Sequence, residues 1–435
     1  MNHEEIISIL SSWNYWGSGL DHGIERQYKR SLLDLLEGVN KIISVSGVRR
    51  AGKSYILRQI AKDVSEELGE KNVLYVNFEE VGFDESLDQY FLNKIYHAFL
   101  EIVKPEKKPY IILDEIQEVN GWEKFVRSIH EKDEAKIIVT GSSAKLMSEE
   151  LATLLSGRDV RLEIFPLSFP EFLRFKGKEV KNKLNLLKRK TDILRELREY
   201  LQLGGYPEVV LEENEVKKIK ILKRYYDTII LKDVERRFGL RNPMKLEALA
   251  RFYISNTASS ITYRSVSRAL DIPIKTVERY SKHLESSCMM FFIKKFSFSV
   301  PEQENSPRKI YSIDNGLITS KGFNFSKDHG KYLENFVAVE LSRTRTDIYY
   351  YRSTSGNEVD FIIKKGTRVI EMIQVCFDPT SGTTEEREIK ALLLASKELK
   401  CNNSLVITWD HEEEKEVKGK NIRFVPLWKW LLDKK

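Results

Sequence analysis

The chain has 435 residues, more than one hydrophobic core usually serves, so we expect two or three domains. Hydrophobic residues make up 41% and charged residues 31%, which indicates a soluble globular protein. The formal net charge of +6 is a small excess for this length, so it permits binding to nucleic acid without arguing for it.

The sequence also excludes several classes of protein. No apolar run approaches the length of a membrane-spanning helix, and residues 1–20 lack the basic and then apolar pattern of a secretory signal. We therefore expect a cytoplasmic protein. The three cysteines, Cys288, Cys376 and Cys401, are scattered, and the seven histidines show no metal spacing. Neither a disulfide framework nor a zinc site is expected, and we predict free thiols.

A glycine-rich loop follows the first predicted strand, Lys41–Ser46, and precedes a helical pattern that runs through Leu68. The loop has the G-x-x-x-x-G-K-[ST] spacing of a P-loop, in which backbone N–H groups and a helix N-terminus converge on phosphate oxygens. We predict that Lys53 reaches the β- and γ-phosphates of ATP and that Ser54 ligates Mg²⁺. The predicted nucleotide-binding residues are Gly47, Val48, Arg49, Arg50, Ala51, Gly52, Lys53, Ser54 and Tyr55.

Two carboxylates end an apolar run, Tyr110-Ile-Ile-Leu-Asp-Glu115. Ligands of open α/β sheets bind at the carboxyl ends of the strands, so this run predicts the second half of the nucleotide site. Asp114 is predicted to hold Mg²⁺, directly or through water, and Glu115 to polarise the attacking water. The alternative is a core strand that ends in a solvated acidic turn.

Two further strands are predicted around these motifs. Asn72–Phe78 lies between the two motifs in the chain, and Lys136–Thr140 runs into Gly141-Ser-Ser143. This order resembles the AAA+ branch of the P-loop ATPases. The resemblance implies that Thr140 or Ser142 is a sensor that contacts the γ-phosphate or the attacking water. A plain turn after the strand explains these residues almost as well.

Arg158 precedes another predicted strand, Asp159–Phe165. By the same AAA+ resemblance, it occupies the place of the arginine finger, which a neighbouring subunit inserts to stabilise transition-state charge. The resemblance thus implies a homo-oligomer. The alternative is a surface arginine. Arg49 and Arg50 lie closer to the phosphates in sequence, so either could substitute for a finger.

The motifs together resemble an archaeal and bacterial family of AAA-type ATPases that carry a C-terminal domain of unknown function. The resemblance covers nearly the whole chain. Besides the nucleotide motifs, it depends on Thr-Gly-Ser-Ser, Ser-Gly-Arg, Pro-Leu-Ser-Phe and Gly204-Gly-Tyr-Pro-Glu208. These later motifs indicate kinship but carry no chemistry. A basic stretch, Lys176–Lys190, marks a plausible domain boundary, and helical patterns follow at Ile193–Leu203 and Val216–Arg237.

The rhythm of Thr262–Phe296 is that of a helix-turn-helix: a helix at Tyr263–Leu270, a turn at Asp271-Ile-Pro273 and a helix at Ile274–Leu284. Strands at Met289–Ile293 and Arg308–Ile313 would form a wing. One side of the second helix is predicted to carry four polar residues that suit phosphates or base edges: Lys275, Thr276, Arg279 and Lys282. DNA binding is one interpretation, and a lid or subunit contact is the other.

Residues 314–435 resemble the restriction-endonuclease-like fold, in which carboxylates bind Mg²⁺ and a lysine positions the water. The predicted elements are a helix at Tyr332–Thr344, a strand ending in Glu358–Ile363, a strand at Val369–Phe377, a helix at Thr384–Leu399 and a strand at Ser404–Thr408. The resemblance implies metal ligation by Glu334 and Asp360. Gln374 and Cys376, however, stand where that family places its Glu-x-Lys, so we predict an inactive scaffold that keeps a binding surface.

The predicted fold class is α/β. An AAA+-type ATPase domain is expected at 1–175, a helical and winged-helix region at 191–313 and the nuclease-like domain at 314–435. The predicted function is Mg²⁺-dependent ATP hydrolysis coupled to conformational change, with ATP and Mg²⁺ as cofactors and DNA as the macromolecular partner. Two alternatives are a nucleotide-gated switch with little turnover and an ATP-regulated nuclease.

Overall fold

The structure is a computed structural model that describes residues 1–79, 82–83, 86–141, 155, 157–178, 188–240, 242–321, 329–344, 347–380 and 382–433. The chain forms two compact units, Met1–Phe165 and Pro166–Lys435. In the described ranges, no helix is both long and apolar enough to cross a membrane. All three cysteines are free and buried, as predicted.

The first unit is built on a parallel sheet of five strands in the order β2-β3-β4-β1-β5. The strands are β1 (Ile42–Gly47), β2 (Val73–Asn77), β3 (Tyr110–Asp114), β4 (Lys136–Thr140) and β5 (Asp159–Ile164). Every residue of β1 and β3 is buried, which is the pattern of strands covered on both faces and explains their near-continuous apolar sequences. The predicted α/β fold class is confirmed, and each of these strands lies within one residue of its predicted bounds.

Helices alternate with these strands along the chain. They are α1 (His3–Ser11), α2 (Tyr28–Gly38), α3 (Lys53–Leu68), α4 (Gln89–Ala98), which continues as a π-helical turn over Phe99–Val103, and α5 (Trp122–Glu131). Helix α3 buries Ile56, Ile60 and Val64, which recur every four residues and so share one face. It ends at Gly69, whose φ of 102° suits a residue without Cβ.

The strand order decides which side chains meet. In space, β4 lies between the two motif strands β1 and β3, whereas the strand that separates the motifs in the chain, β2, pairs with β3 at the sheet edge. The carboxyl ends of β1, β4 and β3 therefore lie side by side. This arrangement brings Gly47, Thr140 and Asp114 to one edge of the sheet.

The second unit begins with helices. They are α6 (Phe169–Phe175), α7 (Lys190–Leu203), α8 (Pro207–Leu211), α9 (Glu215–Thr228), continued by a π-helical segment over Ile229–Arg236, and α10 (Pro243–Ser255). A capping box starts α6, because Ser168 accepts from the Glu171 N–H while the Glu171 carboxylate accepts from the Ser168 N–H. The Pro-Leu-Ser-Phe motif thus contains the residue that caps the start of this helix.

The predicted helix-turn-helix elements are present. Helix α11 (Tyr263–Leu270) and helix α12 (Ile274–Ser286) are joined by a turn in which Asp271 has φ of 51°. A three-stranded antiparallel sheet flanks the two helices in the chain, with strand order β6-β8-β7. Its strands are β6 (Ser259–Ile261), β7 (Met290–Lys294) and β8 (Arg308–Ser312), with the short helix α13 (Val300–Asn305) between β7 and β8.

The remaining residues form a six-stranded mixed sheet in the order β13-β14-β12-β11-β10-β9. Its strands are β9 (Asp347–Arg352), β10 (Glu358–Lys365), β11 (Arg368–Cys376), β12 (Ser404–Thr408), β13 (Glu413–Val417) and β14 (Lys420–Pro426). The helices of this part are α14 (Asn315–Ser320), α15 (His329–Ser342), α16 (Gly382–Leu399) and α17 (Leu427–Leu432).

Two predictions for this sheet were wrong or incomplete. The strand predicted to end in Glu358–Ile363 begins at Glu358 instead, and β9, β13 and β14 were not predicted. In β13, half-buried residues alternate with exposed ones, because it is an edge strand that pairs only with β14 among the described strands. Its sequence is mostly glutamate and lysine, so it lacks the apolar pattern from which a strand is predicted.

The Gly-Gly-Tyr-Pro motif has a packing role. The N–H groups of Gly205 and Gly316 donate to the two carboxylate oxygens of Asp314 at 2.7 and 2.8 Å. Gly204 has φ of 77°, and a Cβ placed there would lie 1.7 Å from Asp314 Oδ1. The glycines therefore allow a buried carboxylate to approach the backbone, which explains a motif that the sequence marked only as kinship.

Candidate nucleotide-binding site

The glycine-rich loop has the backbone that its sequence predicts. Gly47, Arg50 and Gly52 have φ of 141°, 69° and 95°. A Cβ on Gly47 would lie 2.1 Å from the carbonyl oxygen of Ile164 in β5, so only glycine fits at the end of β1. Gly52 precedes α3 and offers no side-chain cap, which leaves the amides of the first helical turn available to an anion.

Lys53, the first residue of α3, is buried with 6% of its surface exposed. Its Nζ donates to the carbonyl oxygens of Gly47 at 3.1 Å and Val48 at 3.3 Å. In the part of the chain that the structure describes, no carboxylate pairs with this ammonium. A buried cation that contacts only neutral carbonyls favours the approach of an anion.

Asp114, at the end of β3, is fully buried and is the centre of a hydroxyl cluster. Tyr75 donates to its Oδ2 at 2.6 Å, and Thr140 donates to its Oδ1. The Ser54 hydroxyl lies close enough to this carboxylate to lower its pKa. The two residues predicted to ligate Mg²⁺, Ser54 and Asp114, are therefore neighbours.

Burial raises the pKa of Asp114, and the nearby charge of Glu115 raises it further, while hydrogen bonds from Thr140, Tyr75 and Ser54 lower it. Burial and the charge of Asp114 raise the pKa of Tyr75 well above its ordinary value. A divalent cation beside Asp114 would offset both the burial and the repulsion from Glu115. The oxygen donor set of Ser54 and Asp114 fits Mg²⁺, a hard cation that prefers such ligands.

Glu115 follows Asp114 in the left-handed conformation, with φ of 55°. Its N–H donates to Thr140 Oγ1 at 3.0 Å, and Gln117 Nε2 donates to its Oε2 at 2.5 Å. The single proton of the Thr140 hydroxyl goes to Asp114. The Thr140 hydroxyl thus contacts the side chain of Asp114, the predicted Mg²⁺ ligand, and the backbone of Glu115, the predicted water activator.

The other loop residues divide into two groups. Val48 and Ala51 have buried side chains, so they can contact a ligand only through their backbone groups. Arg49 forms an ion pair with Glu79 at 3.3 Å, and Tyr55 is 43% exposed. The Arg58 guanidinium lies 5.1 Å from the centre of the Tyr55 ring.

Arg158 is not part of this cluster. It precedes β5, whose first residue pairs with Ile42 at the start of β1, whereas Gly47 pairs with Ile164 at the other end. Its Nη2 lies 3.0 Å from Glu131 Oε1, at the end of α5. Within one chain, Arg158 is thus separated from the glycine loop by the length of a strand. Ser142 lies outside the described residues.

Three residues of the site were missed from the sequence. Arg26, with 2% of its surface exposed, donates to the carbonyl oxygens of Ala51 at 2.6 Å and Phe165 at 3.0 Å, which fixes the loop against the end of β5. The other two are Tyr75 and Gln117, which hold the two carboxylates at the end of β3. Tyr75 lies two residues before Asn77, which pairs with Asp114. This register is the weak signal that could have identified Tyr75 as a residue of the site.

Comparisons with known proteins agree with this geometry. Residues 39–173 match a family model described as an AAA domain, and residues 194–326 and 329–430 match models described as domains of unknown function, DUF8612 and DUF4143. "Uncharacterized protein MJ1544" of Methanocaldococcus jannaschii is 35% identical over 408 residues, which cover 90% of this chain and 88% of that protein.

Two further matches are more distant. An "Uncharacterized protein" of Haemophilus influenzae is 30% identical over 395 residues, covering 88% of this chain and 93% of its own length. Among solved structures, a Walker-type ATPase of Pyrococcus abyssi matches 69% of this chain and 96% of its own, with 16% identity and a TM-score of 0.42.

Proposed function

The chain belongs to the protein family of Methanocaldococcus jannaschii MJ1544 and carries an AAA domain, and from this premise we propose that it binds ATP with Mg²⁺ and hydrolyses it. The observation that carries the proposal is the buried ammonium of Lys53, which among the described residues donates to the carbonyl oxygens of Gly47 and Val48 and pairs with no carboxylate. An anionic phosphate would supply a countercharge to this ammonium.

Each residue has a proposed role. Lys53 and the loop amides bind the phosphates, and Ser54 and Asp114 hold Mg²⁺, which would neutralise phosphate charge. Glu115 orients and polarises the attacking water, with its carboxylate aimed by Gln117. Thr140 and Tyr75 position Asp114 through their hydroxyls, so we propose a positioning role for Thr140 alongside the predicted sensor role.

A phosphate-release assay tests this proposal. Wild-type protein should release phosphate from ATP only with Mg²⁺, and Glu115→Gln should bind ATP but release phosphate far more slowly. Glu118→Gln, which changes an exposed carboxylate three residues further along the chain, is the matched control and should match wild type. Tight ATP binding without release by the wild type would instead identify a nucleotide-gated switch.

We also propose that α12 contacts DNA. Lys275, Arg279 and Lys282 are exposed along this helix, and Thr276 is partly buried beside them. A cleft of about 480 Å³ adjoins the helix, with Thr276, Arg279 and His283 on one wall and Lys245 on the other. Neither Arg279 nor Lys245 forms an ion pair within the described residues, so both charges are available to phosphates.

Fluorescence anisotropy with duplex and single-stranded DNA, over a series of salt concentrations, tests the DNA proposal. Replacing Lys275, Arg279 or Lys282 with alanine should weaken binding to all sequences and reduce the salt slope by about 1 for each phosphate that is no longer neutralised. Lys397→Ala, which removes an exposed lysine of α16, should leave binding unchanged. Equal effects of all four variants would indicate non-specific attraction to the basic chain.

We further propose that the protein acts as a homo-oligomer in which Arg158 reaches the nucleotide of a neighbour. Arg158 lies at the end of the sheet opposite the glycine loop, too far away to act on the nucleotide of its own chain. An arginine that acts on the nucleotide of a neighbour must lie at the surface, as Arg158 does. Arg158→Ala should reduce hydrolysis more than ATP affinity, and wild-type specific activity should rise with protein concentration. A fully active monomer at every concentration would contradict this proposal.

A further inference from the structure

The C-terminal sheet contains a buried acidic centre with a lysine inside it. Lys309 Nζ lies 2.9 Å from Glu334 Oε1, 2.7 Å from Glu358 Oε1 and 2.8 Å from Asp360 Oδ1. The lysine comes from β8, and the carboxylates come from α15 and β10. An ammonium has three N–H donors, and three carboxylates surround this one.

The lysine is held in a nearly dry environment. Only 3% of its side chain is exposed, and the side chains of Asp360 and Glu334 are 9% and 15% exposed. Tyr311, on the same strand as Lys309, donates to Glu334 Oε1 at 2.7 Å. Burial lowers the pKa of Lys309, but Asp360 and Glu334 oppose this and raise it well above its ordinary value, so the lysine is charged.

Asp360 has further hydrogen-bond partners in the centre. Asp360 Oδ2 accepts from the Val375 N–H at 3.0 Å, and the Asp360 N–H donates to Gln374 Oε1 at 3.2 Å. Gln374 brings no charge, and Cys376 is a buried thiol whose pKa burial raises to about 11. Glu371 does not take the place of Gln374, because side chains alternate along a strand and an offset of three residues puts it on the opposite face. It lies near Asn403 and Arg423.

These residues do not fit the divalent cation that the nuclease-like resemblance implies. The oxygens of Glu334 and Asp360 that face the centre already accept from an ammonium, and a cation placed there would meet its positive charge. No group of three or more potential ligands among the described residues has the arrangement of a metal site.

We propose that the Lys309 ammonium takes the place of the divalent cation in this centre, so that the C-terminal sheet works without a metal and has no nuclease chemistry. The cation is supplied by β8, a strand of the three-stranded sheet, which follows the helix-turn-helix in the chain. An internal charge therefore fixes β8 to α15 and β10. This inference is independent of the proposed ATP hydrolysis.

The experiment measures Mn²⁺ binding to the full-length, nucleotide-free protein by the decrease of the free-ion electron paramagnetic resonance signal. Wild type, Asp360→Asn, Lys309→Ala and the double variant are compared, so that binding elsewhere in the chain cancels. Lys309→Gln, which keeps a polar group in the cavity, is carried in parallel in case the alanine variant does not fold. Lys218→Ala is the matched control, because Lys218 is a buried lysine, 5% exposed, that pairs with the carboxylate of Glu199.

We expect wild type and Asp360→Asn to bind equal Mn²⁺. A Lys309 variant should bind additional Mn²⁺, which Asp360→Asn abolishes, and Lys218→Ala should show no gain. Weaker Mn²⁺ binding by Asp360→Asn than by the wild type would overturn the proposal, and so would the absence of any gain in both Lys309 variants. Cleavage of labelled plasmid by the wild type that Asp360→Asn abolishes would overturn it as well.

Discussion

The two units each contain a buried lysine beside an aspartate-bearing strand, and their environments are opposite. In the first unit, Lys53 contacts only the carbonyl oxygens of Gly47 and Val48. In the second unit, Lys309 contacts the carboxylates of Glu334, Glu358 and Asp360. The first lysine lacks a countercharge within the described residues, and the second has three.

We propose that this difference separates a binding residue from a structural one. Burying an uncompensated ammonium costs free energy, which a bound anion can offset, and this is why we assign ligand binding to Lys53. An ammonium already paired with carboxylates has nothing to gain from a ligand, and its removal leaves buried negative charges. The same residue type therefore supports opposite functions, and four experiments examine the contrast.

Lys309→Ala should have the largest effect on stability. Breaking a buried ionic group by removing one partner typically costs about 3–5 kcal/mol, because it leaves uncompensated charge. Urea unfolding followed by circular dichroism measures this change, and ATP affinity should be unaffected. If Lys309→Ala is as stable as the wild type, the acidic centre does not depend on its ammonium.

Lys53→Ala should show the reverse behaviour. Removal of a charge-assisted hydrogen bond to phosphate costs about 3 kcal/mol, or about 100-fold in affinity, while the unfolding midpoint should change little. Titration with a fluorescent ATP analogue measures the affinity. Arg30→Ala, which removes an exposed basic residue of α2, is the control and should bind as the wild type does. A stability loss as large as that of Lys309→Ala would remove the distinction between the two lysines.

Glu115→Gln tests the chemical step at the site, whereas Lys53→Ala tests phosphate binding. Removal of the water-activating carboxylate should slow turnover by about 100-fold, within the usual range for general-base catalysis, with ATP affinity retained. Rapid-quench measurement of a single turnover gives the rate of the chemical step. Hydrolysis at the wild-type rate would show that Glu115 does not activate water.

Asp314 offers a third arrangement, a buried carboxyl group held by backbone N–H groups. Burial raises its pKa from 3.8 to about 7, against the hydrogen bonds from Gly205 and Gly316. The native state therefore keeps a proton that the unfolded state loses as pH rises from about 4 to about 7, so stability falls over this range, by at most about 1.4 kcal/mol per pH unit.

Asp314→Asn should remove this contribution, so that the free energy of unfolding falls less between pH 5 and pH 7 than it does in the wild type. Urea unfolding at both pH values measures the slope. Asp347→Asn, at an exposed position on β9, should keep the wild-type slope. An unchanged slope in Asp314→Asn would show that this carboxyl group does not bind the proton.

The sequence by itself determined the features that depend on neighbouring residues. The conformation of the glycine loop, the start of α3 at Lys53 and the placement of Asp114 at the end of β3 follow from contiguous residue types, because backbone torsions and strand burial are set locally. For the same reason, α11 has its predicted bounds. The inactive nuclease-like scaffold expected from Gln374 and Cys376 stays a prediction.

Only the tertiary structure decided which distant side chains complete each centre. Arg26 is 139 residues from Phe165, whose carbonyl oxygen it binds, and Lys309 is 51 residues from Asp360. Neither pairing has a local signal, because any lysine or arginine in a strand or loop reads as a solvated charge until its burial is known. Strand order and packing determine the partners of a buried charge. In our proposals, those partners distinguish Lys53, which binds phosphate, from Lys309, which takes the place of a metal.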